Sequence, residues 1–179
     1  YVIDAGANIG FFSLALSCHF PALKILAIEP DPDNYRMMNL NLEANGLIAS
    51  SVSFRAALWV RRQKLFLQKK NSKEWSYAVS ETKNGDGEEC EATTIDDITQ
   101  MEDFSKIDIL KIDIEGAESA LFQDLKFLNN LSRTLVLAIE IHDDKADRRQ
   151  INNVFHDKGF QFMEQGELTI AWNMLNKII

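Results

Sequence analysis

Short apolar runs alternate along this chain with longer amphipathic ones, and nothing else in the sequence restricts the fold as much. Residues 1–3, 24–28, 52–57, 107–112 and 135–141 have the length and composition of buried strands. Between them, residues 9–19, 32–45, 117–129 and 147–158 carry helical patterns. Pro32 suits the first position of a helix capped by Asp31, and Gly46 suits its end. Strands separated by helices predict right-handed βαβ units, hence an α/β fold with a mainly parallel twisted sheet and helices on both faces. Residues 160–163 and 168–172, separated by Gln165-Gly166-Glu167, read as a C-terminal antiparallel hairpin. Residues 58–92 break the alternation and read as an inserted hairpin or variable loop, with Asn84-Gly85-Asp86-Gly87 as a turn.

The chain has 179 residues, enough for one such domain, and the reading is a single domain over 1–179. Its first residues, Tyr1-Val2-Ile3-Asp4, already read as a strand, so a preceding N-terminal segment is expected to be lacking. A net charge of −8 argues against broad attraction to nucleic acid or to an anionic membrane. One basic cluster, Arg61, Arg62, Lys64, Lys69, Lys70 and Lys73, is either a solvated face or a local anion site. Cys18 and Cys90 are too few for a disulfide framework and lack metal-ligand spacing. There is no apolar run of transmembrane length and no visible signal peptide, so a cytoplasmic location is expected.

In a doubly wound sheet, ligands bind beyond the carboxyl ends of the strands, where the strand order reverses. The first strand ends in Asp4-Ala5-Gly6-Ala7-Asn8-Ile9-Gly10. Gly6 permits a tight turn, Gly10 a close approach of helix to strand, and Asn8 tolerates positive φ better than other side chains. The loop departs from the G-x-G-x-x-G of dinucleotide binders, whose pyrophosphate needs bare backbone at the helix start. The second strand ends in Glu29-Pro30-Asp31, with Glu29 nineteen residues beyond Gly10. An acid there can accept hydrogen bonds from two ribose hydroxyls and would repel a 2′-phosphate. Together the two features point to a nucleoside cofactor without a pyrophosphate, of which S-adenosyl-L-methionine is the chief case. Arg55-Ala56-Ala57-Leu58 is small enough for an adenine slot, and equally suits ordinary core.

The fourth strand runs into Asp113-Ile114-Glu115-Gly116-Ala117-Glu118, three carboxylates within six residues. Such a cluster needs a cation or a hydrogen-bond donor: a sulfonium, an ammonium or a substrate hydroxyl. Glu118 is alternatively a first-turn acid of the next helix. At the fifth strand end, alternation places Glu140 and His142 on one face, and His142 is a candidate general base for a hydroxyl. Spacing alone supports no metal site.

The blocks from Val2 to Phe12, Ile28 to Pro32, Thr94 to Ile98 and Lys111 to Glu118 together resemble the FkbM-type methyltransferases. The resemblance implies a Rossmann-like class I methyltransferase fold and S-adenosyl-L-methionine as donor. It also implies O-methylation of a hydroxyl on a sugar, polyketide or other small metabolite. Under it, Asp4, Gly6, Asn8 and Gly10 hold the methionine part and Glu29 the ribose, with the neighbouring Phe11 and Pro30 as further cofactor-binding candidates. Asp113 and Glu115 line the active pocket, and Trp75-Ser76-Tyr77 reaches donor or acceptor; the residue reading adds Ala57 to the cofactor site and His142 to the catalytic residues. A nucleotide-dependent oxidoreductase and a non-catalytic binding domain are the competing readings. The dinucleotide loop is broken for the first, and the acidic strand ends are intact against the second. Base methylation is disfavoured, since neither an Asn-Pro-Pro-Tyr type motif nor a basic surface is present.

Overall fold

All four residues of the first strand are buried, as expected of a strand covered on both faces. The computed structural model describes residues 1–69, 77–83, 87–101 and 106–174. The chain opens with β1 (Val2–Ala5), α1 (Phe11–His19), β2 (Ile25–Ile28), α2 (Pro32–Ala44) and β3 (Ser51–Phe54). It continues through β4 (Ala57–Leu58), β5 (Lys64–Lys69), β6 (Tyr77–Ser80), β7 (Glu88–Thr93) and α3 (Ile95–Met101). Then come β8 (Ile107–Ile112), α4 (Glu118–Leu121), α5 (Leu125–Ser132) and β9 (Thr134–Glu140). The last elements are α6 (Arg148–Asp157), β10 (Phe160–Gln165) and β11 (Leu168–Asn173).

The main sheet has seven strands in the order β10-β11-β9-β8-β1-β2-β3. The five strands from β9 to β3 in this order are parallel, and β11 lies antiparallel to both β9 and β10. The chain moves outward from β1 to β2 and β3, then returns to place β8 on the other side of β1. The order therefore reverses beside β1, where a ligand crevice belongs. Alternate strand residues feed two cores. Ile25 and Ala27 pack with Met38 and Leu42 of α2. Leu26 and Ile28 face the opposite core, which includes Ile98 of α3, Phe127 and Leu131 of α5, and Phe155 of α6. No described helix is long and apolar enough to cross a membrane.

Several elements differ from the sequence expectation. The strand expected over 52–57 breaks at Arg55-Ala56, and β4 leaves the main sheet to pair with β7. The helix expected over 117–129 is two helices, because Asp124 starts a new one by accepting from Phe127 N–H at 2.8 Å. Helix α3 was not expected. It is nucleated by a capping box in which Thr94 and Asp97 each accept from the other's backbone N–H. The hairpin at the C-terminus is present, with its second strand innermost. In the 58–92 stretch, β5, β6 and β7 form a four-stranded sheet with β4, in the order β4-β7-β5-β6.

Candidate functional site

The loop after β1 is shaped by backbone geometry that ordinary residues avoid. Gly6, Asn8 and Gly10 all have positive φ, at 73°, 51° and 87°. Gly6 cannot be replaced without a shift, since a Cβ there would sit 1.7 Å from the Asp113 carbonyl oxygen. Gly10 makes its close approach to Met38 of α2, with a Cβ 3.1 Å from Met38 Cγ, rather than to a strand. The Gly6 and Ala7 N–H groups donate to the Ile28 carbonyl, and Asn41 holds the Ile9 carbonyl at 2.8 Å.

Glu29 leaves the end of β2 and turns toward this loop. Its carboxylate accepts from Asn8 N–H at 2.8 Å and from Asp31 N–H at 2.9 Å. Burial pushes its pKa up from the ordinary 4.5, while these two N–H donors pull the other way. Each carboxylate oxygen keeps further acceptor capacity. Asp31 caps α2 as expected, accepting from Asp33 and Asn34 N–H.

A cleft of about 610 Å³, counting its open mouth, lies over the reversal of strand order. Gly6, Asn8, Glu29, Pro30, Ala57, Asp113 and Glu115 line it, all of them singled out from sequence. Leu58, from the candidate adenine slot, lines it as well, and Asn34, Val79 and Ile114 line it too and were missed. Val79 comes from β6, so the small sheet supplies part of the wall, which local patterning could not reveal. Of Trp75-Ser76-Tyr77, Trp75 and Ser76 lie outside the described residues.

Four expected site residues are placed elsewhere. Asp4 is fully buried beneath the loop, where the Ser13 hydroxyl donates to it at 2.7 Å. Burial raises its pKa, and the Lys111 ammonium, 3.5 Å away, opposes this. Gly10 faces α2, and Phe11 is 67% exposed at the start of α1. His142 stands behind Glu115 and does not line the cleft.

The acidic cluster is balanced by the chain's own cations. Lys111, on β8, lies 3.3 Å from Asp113 and donates to the Gly6 carbonyl at 2.7 Å, tying the first loop to the fourth strand end. Lys145 lies 3.9 Å from the Glu115 carboxylate, donates to its carbonyl at 3.2 Å and packs over Gly116. Glu115 itself has positive φ, 56°, an uncommon conformation for this side chain and a form of strain often found at functional sites. His142 Nε2 is 3.4 Å from Glu115, and His142 Nδ1 is 2.7 Å from the fully buried Glu118. Burial pulls the His142 pKa down, but Glu118 and Glu115 outweigh it and the net displacement is upward. Glu140, beside His142, has its pKa raised by burial and then by Asp113. Ligand-type atoms of Glu140, His142 and the exposed Glu167 fall within 4.8 Å of one another, as do those of Asp113, Glu115 and His142.

The basic cluster is no free anion site where it is described. Arg61 pairs with Glu81, Arg62 with Asp97 and Lys64 with Glu89, at 2.8, 2.8 and 2.6 Å. Cys18 and Cys90 are both free, and burial pushes the Cys90 thiol up to about 11.

Comparison with known proteins agrees with this fold. A methyltransferase of Sordaria araneosa, sdnD, is 29% identical over 192 residues, covering 89% of this chain and 73% of that protein. The fold matches the crystal structure of an FkbM methyltransferase from Methylobacillus flagellatus with a TM-score of 0.67 at 16% identity. That match covers 96% of this chain but 42% of the other, so the chain spans less than half its length. The magnesium protoporphyrin IX methyltransferase of Synechocystis, solved with bound S-adenosylmethionine, matches with a TM-score of 0.53 at 11% identity, over 96% of this chain and 69% of that one. The methyltransferase FkbM domain is matched from residue 4 to residue 165, nearly the whole chain, and the chain belongs to the FkbM methyltransferase family.

Proposed function

We propose that this chain binds S-adenosyl-L-methionine in the cleft beside β1 and methylates a hydroxyl group of a small metabolite, sugar or polyketide. The observation that carries the reading is Glu29, buried at the end of β2, lining the cleft and fixed by two backbone N–H groups. A carboxylate so fixed, with acceptor sites to spare, suits a ribose diol. The adjoining wall fits the rest of the cofactor. Ala57, Leu58, Val79 and Ile114 offer apolar surface for an adenine, and Asp113 offers a carboxylate for an ammonium. When bound, the donor supplies an electrophilic methyl carbon: the acceptor oxygen bonds to it, the C–S electron pair returns to sulfur, and the acceptor proton leaves to a base.

The chain's own residues supply orientation and that base. The Gly6–Gly10 loop and Glu29 set the donor's position, and alignment of the reacting atoms is worth much of the rate. Glu115 lines the cleft with His142 behind it, so this pair takes the proton. A net charge of −8 favours a small acceptor over nucleic acid or an anionic membrane, and a reducing cytoplasm suits two free thiols.

The test is transfer of a labelled methyl from adenosylmethionine to a panel of hydroxyl-bearing metabolites, sugars and polyketides, with matched amines. Label in an alkali-stable ether is the expected product. Label found solely in amines would overturn transfer to oxygen while leaving the donor site intact.

A further inference from the structure

Behind the cleft wall, three side chains from three separate elements form a line running inward. Glu115, in the loop after β8, faces the cleft. His142, just beyond β9, presents Nε2 to Glu115 Oε2 at 3.4 Å and Nδ1 to Glu118 Oε1 at 2.7 Å. Glu118 opens α4 and is 0% exposed, and His142 is 8% exposed. A first-turn acid of a helix needs no burial and no partner to serve as a helix acid. Burying a carboxylate costs several kcal/mol unless it is paired, on the order of that for any buried ion. Glu118 lies in just that costly position, and among the described residues its carboxylate has one hydrogen-bond partner, a histidine 24 residues away. Its second oxygen, Oε2, is buried with no hydrogen-bond partner among the described residues.

Building on the proposed transfer to oxygen, we infer that Glu118 is the positioning residue of the base: it holds the imidazole of His142 with hydrogen on Nδ1, so that Nε2 and Glu115 together receive the acceptor's proton. Glu118 never touches the acceptor. It fixes the tautomer and the ring plane and stabilises the imidazolium once the proton has arrived. In that state one positive imidazolium lies between two carboxylates, so proton uptake at Nε2 neutralises charge instead of building it up. The proton travels from acceptor hydroxyl to Nε2, directly or by way of the Glu115 carboxylate, and no other group changes its proton count.

The other charges around the ring are consistent with this assignment. Lys145, from the turn after β9, stands against the imidazolium, and Asp113, Glu140, Asp143 and the hairpin-turn Glu167 favour it. All of these have solvent or another cation to answer to. Lys111 serves Asp113, and Arg148 serves Asp143 at 2.7 Å. Glu118 alone is wholly buried and directed at the ring.

The experiment reads the ring itself and needs no acceptor. The chain has three histidines, so ring nitrogen-15 and carbon-13 signals can be assigned by comparison with His142→Gln. In the unaltered protein, His142 is expected to titrate above the ordinary histidine range, and its neutral form to carry hydrogen on Nδ1. Glu118→Gln, of equal size, should lower the midpoint and mix the two tautomers. Glu115→Gln should lower the midpoint less and leave the tautomer unchanged, its contact being the longer one. Thermal unfolding of Glu118→Gln identifies a variant that has failed to fold, and Glu118→Asp, which keeps the charge, should restore the midpoint in part. An unchanged midpoint and tautomer in folded Glu118→Gln would overturn the inference, as would an Nε2–H tautomer in the unaltered protein.

Kinetics then separate this from the functional reading. With an acceptor found in the labelled-methyl panel, Glu118→Gln should lower kcat about a hundredfold, the lower end of what a positioned base contributes. KM for adenosylmethionine should stay within about twofold, since Glu118 is remote from the ribose side. If His142→Gln keeps full kcat, the base assignment fails even where the ring titration holds. If adenosylmethionine does not bind at all, the functional reading fails, and the ring titration still decides the role of Glu118.

Discussion

The two sides of the cleft hold their carboxylates by different means. On the β1–β2 side, Glu29 is fixed by the N–H groups of Asn8 and Asp31, and Asp31 is fixed by those of Asp33 and Asn34. Backbone donors neither change charge nor rotate away as a side chain does, so on this side only the carboxylates themselves titrate. On the β8–β9 side, Asp113, Glu115 and Glu118 are answered by side chains, Lys111, Lys145 and His142. One of those partners changes its charge near neutrality. A binding surface gains from the first arrangement, and a proton-transferring surface requires the second. The contrast supports putting the donor's ribose on one side and the base on the other.

The largest expected effect comes from the lysine that joins the two sides. Lys111→Met leaves Asp4 buried without its cation and frees the Gly6 carbonyl. Denaturant unfolding should show a loss of about 3–5 kcal/mol, the usual result of breaking a buried pair from one end. Asp4→Asn in the same chain should recover much of it. Glu29→Ala should follow, weakening adenosylmethionine binding by about 1.5–3 kcal/mol, tenfold or more, as a lost charge-assisted hydrogen bond would. Titration calorimetry measures this, and unchanged affinity would mean that the ribose is held elsewhere. Asp31→Ala should cost about 1 kcal/mol of stability through the lost cap of α2, with little change in the β8–β9 side.

The smallest effect is the most diagnostic of the contrast. The folded-state pKa of His142 is raised, so its ion pairs with Glu118 and Glu115 contribute fully below the unfolded histidine value of about 6.5. That contribution is lost as pH rises through the folded value. The stability difference between the unaltered protein and His142→Gln should therefore shrink with rising pH across this window. A difference that stays level would mean that the ring is neutral in the fold.

What the sequence made legible was local. The five parallel strands, the Asp31 cap, the positive-φ tolerance of Asn8 and the position of Glu29 all follow from neighbours within a few residues. Long-range facts were out of reach. Nothing near Lys111 says that its ammonium bridges Asp4 and Asp113, and nothing near Glu118 points to His142, 24 residues on. For the same reason Asp4 read as a ligand residue, although the loop folds over it and buries it completely. Breaks at Arg55-Ala56 and at Asp124 were hidden because apolar pattern runs across them, and only the pairing of β4 with β7 and the new cap reveal the change of direction. The three acids from Asp113 to Glu118 were rightly seen to need a counter-charge, and the chain supplies that charge itself.

The donor cleft is the central claim, and calorimetric titration with adenosylmethionine, its demethylated product adenosylhomocysteine and NAD tests it most directly. Both sulfur ligands should bind to one site per chain, Glu29→Ala should weaken both, and NAD should give no response. Binding of NAD with no response to either sulfur ligand would contradict the account.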